Sequence, residues 1–217
     1  MSNKLALFAA SFAMLASSHA QSSIEDYFPF SDLSSPSNYG DTGLLEIPNA
    51  RFMKEASLRF NFSSSYPNEF TTITASPFKW LESSYRYTEI KNKLYGPSLY
   101  SGNQSLKDKG FDLKMKLIGE GYYRPAVALG LRDIAGTGIF SSEYLVATKS
   151  LGNFDVTAGL GWGKLGSDDS IRNPLISLSK SFQIRTGSFK EGGEFKYTDW
   201  FSGTAALLGG VEYHLRK

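Results

Sequence analysis

Glu143-Tyr144-Leu145-Val146-Ala147-Thr148-Lys149-Ser150-Leu151-Gly152-Asn153-Phe154-Asp155-Val156-Thr157-Ala158-Gly159-Leu160-Gly161-Trp162-Gly163 reads as two antiparallel strands turning at Leu151-Gly152-Asn153. In the second strand Phe154, Val156, Ala158, Leu160 and Trp162 alternate with Asp155, Thr157, Gly159 and Gly161. That strict period of two leaves one apolar face and one small or polar face. A soluble sandwich shows the same alternation. Here the run is about nine residues long, enough to cross a tilted bilayer, and it closes on Trp162 where an interfacial aromatic belongs. The stretch predicts an all-β chain, an antiparallel up-and-down outer-membrane β-barrel.

Other segments repeat the pattern. Leu58, Phe60 and Phe62 oppose Arg59, Asn61 and Ser63, and beyond a turn at Tyr66-Pro67-Asn68 a Thr-rich strand runs from Glu69 to Ser76. Leu81, Tyr85 and Tyr87 oppose Glu82, Ser84 and Arg86; Phe111, Leu113, Met115 and Leu117 oppose Asp112, Lys114 and Lys116. Val127, Leu129 and Leu131 alternate with Ala126, Ala128 and Gly130, and 207–215 supplies a last strand. Each apolar set is expected to face lipid and each polar set the interior. Long links at 90–109, 133–140 and 164–203 follow odd-numbered strands, and short ones at 77–79, 119–123 and 150–153 follow even ones. Barrels of this class sort their loops in that way. Eight strands result, or ten if 175–200 adds a hairpin turning at Gly192-Gly193.

The N-terminus is a targeting segment. Lys4, the apolar run Leu5 to Ala16 and the small-x-small site Ser18-His19-Ala20 predict a signal peptide over 1–20, with Gln21 opening the exported chain. Residues 21–55 follow as a Ser-, Asp- and Pro-rich leader and N-terminal segment, and 56–217 as the barrel domain. There is no cysteine, which removes disulfides, thiolate metal sites and a lipidated cysteine. With 23 Lys and Arg against 21 Asp and Glu, the near balance argues against a nucleic-acid partner. No window after the signal is long and apolar enough for a membrane helix.

Little in the sequence reads as catalytic chemistry. Gly161-Trp162-Gly163-Lys164-Leu165-Gly166 fits the dinucleotide pattern, but Ser167-Asp168-Asp169 and then Asn173-Pro174 follow, not an apolar-periodic helix. Past the signal, His214 is the single histidine, which excludes a multi-histidine metal site and leaves a Ser-His hydrolase as the familiar option. No G-x-S-x-G and no serine within two residues of His214 supports it. Glu82, Asp112, Glu143, Asp155 and Glu212 read as inward, matched by Arg59, Arg86, Arg132, Lys114, Lys116 and Lys149. Such mixed charge is a salt-bridged filling for a narrow barrel. In the sharper alternative, Arg59, Arg86, Asp112, Lys114, Lys116, Lys149, Asp155 and Glu212 line a polar track for an anionic sugar polymer, with Tyr95 and Tyr100 stacking on sugar rings. No catalytic, metal or cofactor residue is assigned.

Several separated motifs carry a resemblance. Gly40-Asp41-Thr42-Gly43-Leu44-Leu45-Glu46-Ile47-Pro48-Asn49-Ala50-Arg51, the Leu160 to Gly166 stretch, Arg172-Asn173-Pro174, and Trp200-Phe201-Ser202-Gly203 running into Gly209-Gly210-Val211-Glu212-Tyr213 resemble the YjbH-like family of exopolysaccharide and capsule biosynthesis proteins. Gly43, Pro48, Arg51, Trp162, Gly163, Asn173, Pro174, Trp200 and Gly210 match its recurrent positions. The resemblance implies a non-catalytic outer-membrane component of polysaccharide production or export in a Gram-negative bacterium. Its implied partners are outer-membrane lipid, extracellular polysaccharide and export proteins encoded nearby. Family members are longer, and many are lipoproteins. An eight-strand barrel is just filled by its own side chains, and this chain closes on His214-Leu215-Arg216-Lys217, not on an aromatic. The expectation is therefore either an export accessory or the N-terminal part of a larger barrel. Two alternatives stand beside it: a deacylase-like, lipid-modifying barrel enzyme using His214, and a soluble periplasmic glycan-binding β-sandwich.

Overall fold

A computed structural model describes residues 34–187 and 197–215. The signal peptide expected over 1–20 and the turn expected at Gly192-Gly193 lie outside the described residues. Wherever the sequence alternates, a strand forms: β1 (Ser57–Ser65), β2 (Asn68–Phe78), β3 (Leu81–Leu94), β4 (Ser105–Ile118), β5 (Ala126–Arg132), β6 (Ser142–Leu151), β7 (Phe154–Gly163) and β8 (Ala205–Tyr213). Every strand pairs antiparallel with its chain neighbour, giving one eight-stranded sheet in the order β1 to β8. The deciding hairpin forms, turning at Gly152-Asn153 with Leu151 opposite Phe154, and its register sets Glu143 opposite Trp162.

The sheet curls into a half-barrel. Among the described residues β1 and β8 share no ladder, so both edges stay open and the closed eight-strand barrel is not formed. No strand lies in the described parts of 175–200, which hold short 3-10 turns in place of the extra hairpin. β3 and β4 run further than their alternation suggested, so the loop expected over 90–109 narrows to 95–104, with a single helical turn at Ser98–Ser101.

Side-chain burial is inverted relative to a water-soluble sheet. On the convex face Phe60 is 69 % exposed, Phe111 52 % and Val211 60 %. On the concave face Thr72, Thr74, Glu82, Arg86, Lys114, Thr148 and Asp155 are buried. Burying charge is unfavourable unless each group finds a partner, so this face requires something polar packed against it. Residues 34–56 supply it.

The convex face is not bare throughout. At its long-loop end the β7–β8 link wraps round the edge of β8, where Ile171 N–H donates to Ala205 O and Leu207 N–H to Ser170 Oγ. It then lies over the outside of the sheet. Leu131, Trp162 and Ala205, which share that face by register, pack with Ile134, Phe182 and Phe201. Trp162 is therefore a buried core residue and not the interfacial aromatic expected of it. Exposed aromatic pairs gather at the short-turn end instead. There Phe78 stacks on Trp80, Tyr122 meets Tyr123 edge-on and Phe154 leans on Tyr213.

Candidate functional site

The concave face and the segment over it form the most densely hydrogen-bonded region of the fold. Two tight reversals shape the segment, closed by bridges between Pro36 and Thr42 and between Gly43 and Pro48. Gly40 adopts φ +88° against Thr72, where a Cβ would lie 2.4 Å from the Thr72 Cβ. Only glycine fits there, because the backbone is left-handed and the neighbouring strand is in direct contact. With the chain this close, Thr72 Oγ1 donates to Tyr39 O and Thr74 Oγ1 to Gly40 O, both at 2.9 Å.

From there the segment engages every strand. Arg59 on β1 donates to Ser34 O, Gly40 O and Thr42 Oγ1. Glu82 on β3 accepts from Thr42 N–H (2.7 Å), Thr42 Oγ1 (2.8 Å) and Met53 N–H (3.2 Å). Lys114 on β4 donates to Thr42 O and Arg51 O, with its ammonium 4.8 Å from the Phe52 ring. Arg132 on β5 donates to both oxygens of Asp41 and lies over the Tyr39 ring. Thr148 on β6 accepts from Ala50 N–H, and Glu212 on β8 accepts from Ser35 Oγ. Arg51 forks onto Asp155 of β7, Nε to Oδ2 at 2.6 Å and a terminal nitrogen to Oδ1 at 2.9 Å, while its other terminal nitrogen binds Glu120 from the β4–β5 link. Such bidentate charge-assisted pairs fix geometry as well as contributing energy.

Electrostatics follow from the packing. Burial alone would raise the Asp41 carboxyl, but Arg132, Lys114 and the Ser37 hydroxyl together hold it below the ordinary carboxylate range. Asp133, on the β5–β6 link, behaves oppositely: burial and then the neighbouring Asp108 push it up to about 6. Its backbone is left-handed at φ +58°, and its Oδ2 accepts from Phe140 N–H. That anchor seats Phe140 against Tyr39 and Phe70 in an aromatic cluster at the long-loop end of the concavity.

A second knot holds the β7–β8 link on the outside of the sheet. Trp162 Nε1 donates to Asn173 Oδ1 at 3.0 Å, and Asn173 Nδ2 donates to the carbonyls of Phe182, Phe201 and Gly203. Glu143 accepts two bonds from Arg185 and one from Phe201 N–H. Between this link and the β5–β6 link lies a cleft of about 540 Å³, lined in part by Lys164, Gln183, Trp200 and Thr204.

Seven of the eight residues expected along a polar track, Arg59, Arg86, Asp112, Lys114, Lys116, Asp155 and Glu212, do share the concave face. Lys149 does not. Its register puts it opposite Val156 on the convex side, and its ammonium reaches Glu120 and Gly121 O at the short-turn end. Glu143 likewise leaves the inward set, because it pairs with Leu131 and Trp162 on the outer face. The one-residue offset across a strand decides this. Tyr95 and Tyr100 stand exposed on the 95–104 link. Of the motif positions, Gly43 and Pro48 close a reversal of the inner segment, Arg51 is its anchor, Gly163 ends β7, Pro174 opens a 3-10 turn and Gly210 lies under Leu44.

Other candidate chemistry takes definite positions. Gly161 to Gly166 ends a strand and opens a three-residue 3-10 turn, not a helix that could hold a pyrophosphate. Ser150 Oγ donates to Asp155 Oδ1 at 2.6 Å, and His214 Nε2 is 3.5 Å from Asp155 Oδ2. The carboxylate thus lies between serine and imidazole, whereas nucleophile activation needs the serine on the imidazole. Among the described residues no group of three or more His, Cys, Asp or Glu is placed to hold a metal. Asp41, Glu120 and Arg185 were missed by sequence reasoning; only Asp41, set between Gly40 and Gly43, carried any local signal.

Residues 35–217 match the model of the family YjbH, described as exopolysaccharide biosynthesis protein YbjH. The chain belongs to this family. An uncharacterized lipoprotein YjbH of Escherichia coli (strain K12) is 44 % identical over 180 residues, which cover 82 % of this chain and 26 % of that protein. The chain thus spans about a quarter of that relative's length. No solved structure matches it. The YjbH match begins where the inner segment begins and its range spans both knots.

Two outcomes follow. Arg51→Ala strips the partner from buried Asp155 and Glu120, and thermal or urea unfolding should register a loss of about 3 kcal/mol; an unchanged midpoint would contradict the anchoring role. For Asp133 the folded pKa lies above the unfolded value, so its ionisation opposes folding. Stability should fall as pH rises from the unfolded value near 4 to about 6 and then level off. Asp133→Asn, which keeps an acceptor for Phe140 and tolerates the left-handed backbone, should flatten that window and be the more stable protein at pH 7.

Proposed function

We propose that this chain forms a lipid-facing wall of an outer-membrane β-barrel that serves exopolysaccharide production or export, with residues 34–56 as its inner lining. The observation that carries this reading is the inverted sheet, with an apolar convex face and buried charges within. On β3 and β4 the outward band from Leu81 to Tyr87 and from Phe111 to Met115 contains no charged residue. It measures about 20 Å along β3 and about 14 Å along β4, where Lys109 stands opposite Tyr87, against the roughly 25 Å apolar band of such barrels. Phe78, Trp80, Tyr122, Tyr123, Phe154 and Tyr213 mark its short-turn boundary as an aromatic belt.

The open edges extend the proposal. Unpaired strand groups are untenable in lipid, so β1 and β8 are taken to be continued by further strands of a longer protein, in keeping with a relative about four times the length of the match. That relative's being a lipoprotein agrees with a place in the envelope. Because the inner segment occupies the concavity, this unit alone is not taken as the conduit, and it acts with other export proteins and without catalysis of its own.

Fractionation of cells expressing the full chain tests the reading. The protein should stay with outer membranes through alkaline carbonate extraction, and its deletion should lower secreted polysaccharide while leaving lipid A acylation unchanged. Release by osmotic shock would instead establish a soluble binding protein, and an acylation change reproduced by His214→Ala would establish the deacylase.

A further inference from the structure

The upper rim of β3 and β4 departs from the apolar pattern below it. Outward positions on β4 read Lys107, Lys109, Phe111, Leu113 and Met115 towards the short-turn end, so two lysines stand directly beyond the apolar band. Across the ladder Lys109 faces Tyr87 and Lys107 faces Glu89. Lys91 follows on β3, paired with Glu69. Glu89 accepts from Ser105. Lys107 and Lys109 are exposed and carry no ion pair among the described residues. They are held by the ladder on successive rungs of one face, about 7 Å apart along the strand, above the contact between Tyr85 and Phe111.

We infer that Lys107 and Lys109, with Lys91 beside them, bind the phosphate groups of a phosphorylated glycolipid in the outer leaflet. This rests on the membrane reading above, together with the rule that barrels of that class keep short turns on the periplasmic side and longer loops outside. Ammonium groups directly beyond an apolar band meet the headgroup layer, where each cation adds to the attraction for anionic lipid. The neighbouring Tyr87, half-buried on the same face, sits where the glucosamine backbone of such a lipid would lie. Glu69 and Glu89 hold Lys91 and Ser105 in place, so the patch keeps a net positive charge at its outward edge. The opposite end of the sheet carries Lys54 and Lys79 on a different boundary.

Vesicles of phosphatidylethanolamine doped with bisphosphorylated lipid A, and matched vesicles with dephosphorylated lipid A, test this with the full-length protein, in which further strands continue β1 and β8 as proposed above. After detergent extraction, lipid A retained per protein is measured by mass spectrometry. The wild type should retain the bisphosphorylated form about thirtyfold more than K107Q/K109Q, lose the preference with the dephosphorylated form, and match K54Q/K79Q. Equal retention by K107Q/K109Q, or an equal loss in K54Q/K79Q, overturns the assignment while insertion of all three proteins leaves the membrane reading intact. Failure of the wild type to insert overturns both.

Discussion

Glu82, Lys114, Arg132 and Asp155 are buried on one face of a single sheet, and a charge removed from water must find its partners inside the protein. That constraint organises the fold. Residues 34–56 meet it mostly with backbone groups: Thr42 N–H and Met53 N–H for Glu82, Thr42 O and Arg51 O for Lys114. Two side chains, Asp41 and Arg51, then complete ion pairs with Arg132 and Asp155. Since the contacts reach all eight strands, the segment sets the curvature of the sheet as well as filling it.

The two faces are consequently stabilised by different chemistry. Inside, directional hydrogen bonds and cation–aromatic contacts dominate, with a small apolar cluster of Ala50, Phe52, Ala126, Ala128, Tyr144 and Val146 where the strand residues are small. Gly130 makes room there for the Tyr144 ring, which lies 1.9 Å from where a Cβ would be. Outside, an apolar core exists only where the β7–β8 link folds back, held by Asn173 and Glu143. Elsewhere among the described residues the convex apolar side chains, Phe60, Phe111 and Val211 among them, stand exposed, as the proposed lipid-facing wall requires.

Much of this was legible in the sequence because strand alternation is local. Every strand formed where period-two patterning indicated one, and membership of the YjbH family was readable in motifs such as Gly40 to Arg51. What stayed hidden depended on long-range packing. Glu143 sits next to Tyr144, and nothing local says that Glu143 belongs to the outer face, because the loop that buries it lies more than 40 residues away in Arg185. Trp162 resembled an interfacial aromatic for the same reason, its partner Asn173 being in a stretch without periodicity. That the leader-like 34–56 region is the lining of the sheet was equally beyond local patterning, since its contacts are spread over every strand.

The chain contains no cysteine, so single cysteines introduced into it can be read without background. Phe60→Cys, Phe111→Cys, Val156→Cys and Val211→Cys place thiols along the convex face, and Gly102→Cys places one on an exposed loop. Labelling in intact outer membranes with a water-soluble maleimide measures directly which solvent that face meets. The account predicts that the four convex thiols stay unlabelled until detergent is added while the Gly102 position reacts at once. Labelling of the convex positions as fast as the loop position would contradict it.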